Sequence, residues 1–127
     1  MAHDFEMGLL GQVFFETVEG AAVDVHYFVA AQADSIGYSF VKSAEDMARL
    51  QQELRRRLGR QYRKKAIIAK IETREAVHHL PDIIVQAASR QPLGIMIARG
   101  DLAVEVGWQR LAELQEEILW ICEAAHV

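Results

Sequence analysis

One cysteine, two prolines and no long apolar run set the first limits on this chain. The lone Cys122 excludes a disulfide framework and any Cys-rich zinc module, and it makes a reducing, cytoplasmic setting the default. Two prolines and eight glycines among 127 residues are too few for a low-complexity chain or an extended linker. No apolar stretch approaches the roughly 18 residues of a membrane span, and the N-terminus lacks the basic start of a secretion signal. No membrane association is therefore expected. Positive charge is missing from the first third: residues 1–41 hold six acids and no Lys or Arg.

What is present describes one foldable domain. Hydrophobic residues make up 51% and charged residues 25% of the chain, enough apolar content to bury a core without metals or cross-links. The same length is too short for a complete eight-fold βα barrel, which needs about 250 residues. The positive charge absent from the start is concentrated at 42–74, with eleven bases and four acids, and residues 75–127 are acidic again. The densest basic run, Arg55 to Lys65, reads as a phosphate or nucleic-acid patch or, more plainly, as the basic end of a helix complementing its dipole. Tyr62 is the only aromatic within it, so the interleaved stacking residues of a single-strand binder are missing. A nucleic-acid partner is not expected.

From residue 34 onward, short apolar runs alternate with helical patterns. Ile36–Val41, Ala66–Glu72 and Leu93–Ala98 read as strands; the second is β-branched and almost continuously apolar, as strands covered on both faces are. Ser43 with Asp46 resembles a capping box, Met47, Leu50, Leu54 and Leu58 follow at helical spacing, and Gly59 is a stop. Val77 to Ala88 forms a second helical face in which Pro81 starts a new piece. Gln109–Ala125 is a final helix with Leu111, Leu114, Ile118 and Cys122 on one stripe. Val23–Ala33 also reads as helical. The apolar run 5–18 fits a helix over 4–18, with a strand at 12–18 as the alternative. Short strand–helix links imply parallel strands with right-handed crossovers.

Candidate chemistry sits where two strands end. Lys70 and Glu72 are two apart and leave the strand on one face. A lysine in an apolar strand is costly to bury unless paired or functional, and a structural ion pair is the plainer reading. Arg99-Gly100-Asp101 follows the next strand, at the end where parallel α/β proteins collect their chemistry. Alone it reads as a surface turn; one βα unit after Lys70-Ile71-Glu72 it carries more weight. Gly100 lets backbone approach a ligand, and Glu72 and Asp101 could share a hard cation such as Mg²⁺. The adjacent His78 and His79 point apart on a helix and do not suggest a metal site. Cys122 reads as a small core residue. Trp108 and Trp120 read as packing residues or as cover for the edge of an incomplete sheet.

The segments Ile68-Ala69-Lys70-Ile71-Glu72-Thr73-Arg74-Glu75-Ala76-Val77 and Gly94-Ile95-Met96-Ile97-Ala98-Arg99-Gly100-Asp101-Leu102-Ala103-Val104-Glu105 together resemble the catalytic barrel of pyruvate kinase, in particular its bacterial and plant pyruvate-kinase-like branch. Ser39-Phe40-Val41-Lys42 is similar to the preceding strand, and Glu116 to Val127 to the helix that follows. The resemblance covers about residues 24–127. It implies an α/β fold of about three consecutive βα units of a parallel TIM-type barrel, preceded by an extra segment 1–23 that is expected to be helical. It further implies that Glu72 and Asp101 hold Mg²⁺ or Mn²⁺, which binds phosphoenolpyruvate or pyruvate. Lys70 would stabilise the transferring phosphoryl group and the enolate. The Gly100 and Asp101 amides would cradle the substrate carboxylate, Arg99 would support the loop, and Ser39 would lie near the phosphoryl site.

Two positions depart from the family pattern: Ala76 and Ala103 stand where it usually has glycine. The sequence also holds no counterpart of the earlier barrel strands that carry the family's K⁺ site, an essential arginine and much of the ADP/ATP contact, nor of the strand with its catalytic threonine. The expected function is therefore Mg²⁺-dependent phosphoryl transfer between phosphoenolpyruvate and ADP, weak or absent in this chain alone. Two alternatives stand beside it: a non-catalytic assembly module with a residual metal site, and a metal-dependent pyruvate-type aldolase or lyase. The incomplete barrel also predicts a homo-oligomer or a complementing chain.

Overall fold

The computed structural model describes residues 7–8, 12–16 and 33–127. Among the described residues, five strands form one sheet in sequential order: β1 Met7–Gly8, β2 Gln12–Glu16, β3 Ser35–Ser39, β4 Ala66–Ile71 and β5 Leu93–Ile97. β1 runs antiparallel to β2, and β2 through β5 are parallel. The described helices are α1 Ala44–Leu58, α2 Arg74–His78, α3 Leu80–Ala88, α4 Arg99–Val106 and α5 Trp108–Ala125, with a 3₁₀ turn at Gly59–Lys64.

The three expected βα units are present, built on β3, β4 and β5. The helix expected over 4–18 is corrected, because the described residues within it are strands. Gln12-Val13-Phe14-Phe15-Glu16 is rich in aromatic and β-branched character, and β2 finds a full set of partners along β3, from Gln12↔Ser35 to Glu16↔Ser39. That pairing satisfies its backbone and overrides an apolar spacing that also suits a helix. The helix read at Val23–Ala33 falls, but for Ala33, outside the described residues.

Alternation along the strands separates two faces. Ile36, Tyr38, Ile67, Ala69 and Ile71 are buried and join one core with Met47, Leu50 and Leu54 of α1, Leu80, Ile83 and Ala87 of α3, Leu102 of α4, and Leu111 and Ile118 of α5. Each fully buried Leu or Ile stabilises the fold by roughly 1.5–3 kcal/mol. Gly37, Ser39, Ile68, Lys70, Gly94 and Met96 alternate onto the other face, the one a closed barrel would turn inward. Gly94 lies opposite Ile68, and a Cβ on it would come within 2.9 Å of the Ile68 Cδ1. Glycine lets the branched neighbour fill that place.

Local signals explain the element ends. Ser43 caps α1, its Oγ accepting the Asp46 amide at 3.2 Å, while Asp46 Oδ2 accepts the Lys42 amide at 2.9 Å. Gly59, at φ +58°, ends α1. Pro81 lies in the first turn of α3. β3 stops at Ser39 rather than Val41, because Phe40 turns to φ +55°. Arg99-Gly100-Asp101 is the first turn of α4 rather than a surface turn.

Candidate active site

The C-terminal ends of β3, β4 and β5 bring the predicted residues to one rim. Lys70 is the penultimate residue of β4 and Glu72 the first beyond it, so both project to the same side. The Lys70 ammonium donates to the Ser39 Oγ at 3.2 Å and lies 3.4 Å from the Glu72 Oε1. The Lys70 side chain keeps partial access to solvent, whereas that of Glu72 is 2% exposed. The second carboxylate oxygen of Glu72 accepts the Phe40 amide at 2.5 Å. The left-handed backbone of Phe40 aims that amide across from the end of β3. Sequence reading had no access to this contact, since any residue type offers an amide and only φ directs it.

Burial pushes the Glu72 carboxyl above the ordinary glutamate range. The Phe40 amide and the Lys70 ammonium act the other way, and the nearby Asp101 charge adds to the rise. A buried carboxylate within the field of Asp101, beside a strand-end lysine, suits a hard cation shared with that second carboxylate. The donor set of Glu72 and Asp101 therefore fits a divalent ion completed by substrate oxygens.

β5 leads into α4 through Ala98, whose amide donates to the Ile71 carbonyl at 3.1 Å and ties the two strand ends together. Asp101 sits exposed in the first turn of α4. A Cβ on Gly100 would meet no described atom within 4 Å beyond its chain neighbours and its own helix backbone, which leaves the backbone there open to a ligand. Arg99 is exposed, and no described carboxylate lies within ion-pair distance of it. Arg74 donates from α2 to the Glu105 carbonyl of α4 at 2.9 Å and ties those two helices together.

Thr73 is a second residue that sequence reading missed. It is nearly buried and caps α2 by accepting the Ala76 amide at 3.1 Å. The signal was a Thr directly before a helical pattern. Ala76 and Ala103 both lie buried within helices, where alanine is favoured over glycine by about 1 kcal/mol. These two departures therefore firm the helices flanking the site.

The remaining candidates separate from it. The His78 and His79 rings meet edge to face at 5.0 Å, and no group of three metal-ligating side chains forms among the described residues. Cys122 is buried, and burial raises its thiol. Trp108 and Trp120 are 70% and 67% exposed, so they are not packing residues of this chain's core. No described helix is long and apolar enough to cross a membrane.

The sequence pattern of the pyruvate kinase barrel domain matches residues 12–126. Pyruvate kinase of Leishmania mexicana is 34% identical over 81% of this chain and 19% of its own length. That of Dictyostelium discoideum is 35% identical over 81% of the chain and 18% of its own. The chloroplastic isozyme A of Nicotiana tabacum is 34% identical over 79% of the chain and 16% of its own. The chain thus spans less than a fifth of these relatives. A match that starts at β2 and runs through α5, on a sheet whose strand ends gather Ser39, Lys70, Glu72 and Asp101, makes this chain a member of the pyruvate kinase barrel-domain family.

Proposed function

We propose that this domain carries the cation and lysine part of a site for phosphoryl transfer between phosphoenolpyruvate and ADP, giving pyruvate and ATP. The observation that carries the reading is the cluster at the strand ends: Lys70 between Ser39 and Glu72, with Glu72 fixed by the Phe40 amide and within the field of Asp101. Glu72 and Asp101 would hold Mg²⁺ or Mn²⁺, which when bound supplies positive charge at the carboxylate and enol oxygens of the substrate. Lys70 keeps enough access to reach the phosphoryl group and the developing enolate, and its contact with Ser39 holds it toward that side. The Gly100 and Asp101 amides, in the first turn of α4, face an approaching carboxylate with the positive end of the helix. Arg99 lies at the entrance as a further positive charge.

Turnover by this 127-residue chain alone is expected to be weak, because the resemblance assigns K⁺ binding and much of the nucleotide contact to strands with no counterpart here. A second copy or a complementing barrel chain would close the sheet, in the cytoplasmic setting that a buried free Cys122 suits. A non-catalytic assembly module is the second reading; exposed Trp108 and Trp120 favour it. No observation favours the aldolase or lyase.

Calorimetric titration with Mn²⁺ tests the site. Binding should tighten when phosphoenolpyruvate is present and be lost in Asp101→Asn. The same affinity with and without the substrate would support the module reading. Substantial turnover that survives Lys70→Ala would sink the assigned mechanism.

A further inference from the structure

At the opposite end of the sheet, the 3₁₀ turn between α1 and β4 frames a surface cavity of about 510 Å³ lined by Arg55, Gly59, Arg60, Tyr62 and Arg63. Among the described residues, three arginines line it and no carboxylate residue does. The neighbouring arginines differ: Arg56 and Arg57 are both satisfied by Glu53, at 2.6 and 2.9 Å. Complementing the α1 dipole accounts for Arg55 to Arg57, in the last turn of that helix. It does not account for Arg60 and Arg63, which follow after Gly59 has ended it.

The cavity wall is braced. Tyr62 is buried, and Gln91 donates to the Tyr62 carbonyl at 3.3 Å and the Lys65 carbonyl at 2.8 Å. Gln91 in turn accepts from Gln51 of α1 at 3.3 Å, and Gln51 accepts from Gln86 of α3 at 3.0 Å. This amide chain fixes the turn against two helices. Burial alone would raise the Tyr62 hydroxyl, but hydrogen bonds from Arg90 and Arg63, with their charges, hold it below the usual tyrosine range.

We propose that this braced arginine cavity binds a small phosphorylated ligand. Guanidinium forks match phosphate oxygens in pairs, and like charges gathered in one concavity are relieved by a multiply charged anion. The volume suits a metabolite-sized molecule. A nucleic-acid strand fits less well, because Tyr62 is buried and no other aromatic among the described residues lines the cavity to stack a base. The site is separate from the strand-end cluster: β4 begins at Ala66, just past the 3₁₀ turn, and Lys70 and Glu72 lie roughly 13 and 20 Å further along the chain.

The test is calorimetric titration of the full chain at constant ionic strength with inorganic pyrophosphate, a sugar phosphate and a nucleoside diphosphate. Saturable binding of at least one is expected. It should weaken about ten-fold or more in each of Arg60→Gln and Arg63→Gln, as loss of a charge-assisted hydrogen bond predicts. It should persist in Arg56→Gln and in Lys70→Met. Perturbation of the Gly59 amide resonance on adding pyrophosphate provides a second readout that needs no variant. Absence of binding, binding that survives the Arg60→Gln/Arg63→Gln pair, or loss in Lys70→Met would each overturn the proposal. So would a short RNA that needs the same arginines and is not displaced by pyrophosphate.

Discussion

Burial makes the ionised form of Glu72 costly to the fold. Its carboxyl is raised chiefly by burial, so the folded state binds a proton more tightly than the unfolded chain does. Ionised Glu72 therefore costs stability above its folded pKa, and the cost fades as pH falls toward the ordinary glutamate value. Glu72→Gln, which can still accept the Phe40 amide, should stabilise the fold at neutral pH by roughly 1 kcal/mol while abolishing Mn²⁺ binding. Urea unfolding from neutral to acid pH checks it, and the gap between the two proteins should close in acid. Phe40 contributes through its backbone: a left-handed conformation costs a non-glycine residue about 1–2 kcal/mol. Phe40→Val, branched at Cβ, should lose about 1–3 kcal/mol and weaken Mn²⁺ binding. Phe40→Gly should retain the binding, because glycine takes that φ freely. Equal metal affinity in the two variants would remove the amide from the site's design.

Elements were legible where their signals were local and redundant. α1 announced its start through Ser43 and Asp46 and its end through Gly59, and the structure adds a bond from the Tyr38 hydroxyl to the Asp46 carbonyl at 3.1 Å that pins the helix start to β3. Ser43→Ala should cost about 1 kcal/mol in thermal or urea unfolding without changing Mn²⁺ affinity. α4 was not legible as a helix, because only Leu102 and Ala103 of it are buried and Arg-Gly-Asp reads as a turn. β2 remained ambiguous for a different reason. Its apolar run satisfies both periods, and what decides it is pairing with β3, information that lies more than twenty residues away in the sequence. At the candidate site, Lys70, Glu72 and Asp101 could be named from chain spacing and resemblance. The Phe40 amide and the Thr73 cap could not be tied to the site, because their roles depend on backbone geometry.

For the whole molecule, the exposed apolar side chains set an expectation about association. Trp108, Leu119 and Trp120 of α5 and Val104 of α4 are all more than half exposed, beyond what single scattered residues need explain. Tryptophan emission should be that of solvated indole in dilute protein and shift blue as concentration rises, in step with a mass above one chain by light scattering. Emission independent of concentration, with a monomer mass throughout, would leave these residues as plain surface. The strictly sequential strand order has a kinetic consequence as well. Each parallel pairing joins segments no more than about thirty residues apart, as with Ser35↔Ala66 and Ile67↔Leu93, so no loop closure waits on a distant partner. A chain emerging from the ribosome can dock each βα unit onto the one before it, and each new edge strand serves as the template for the next.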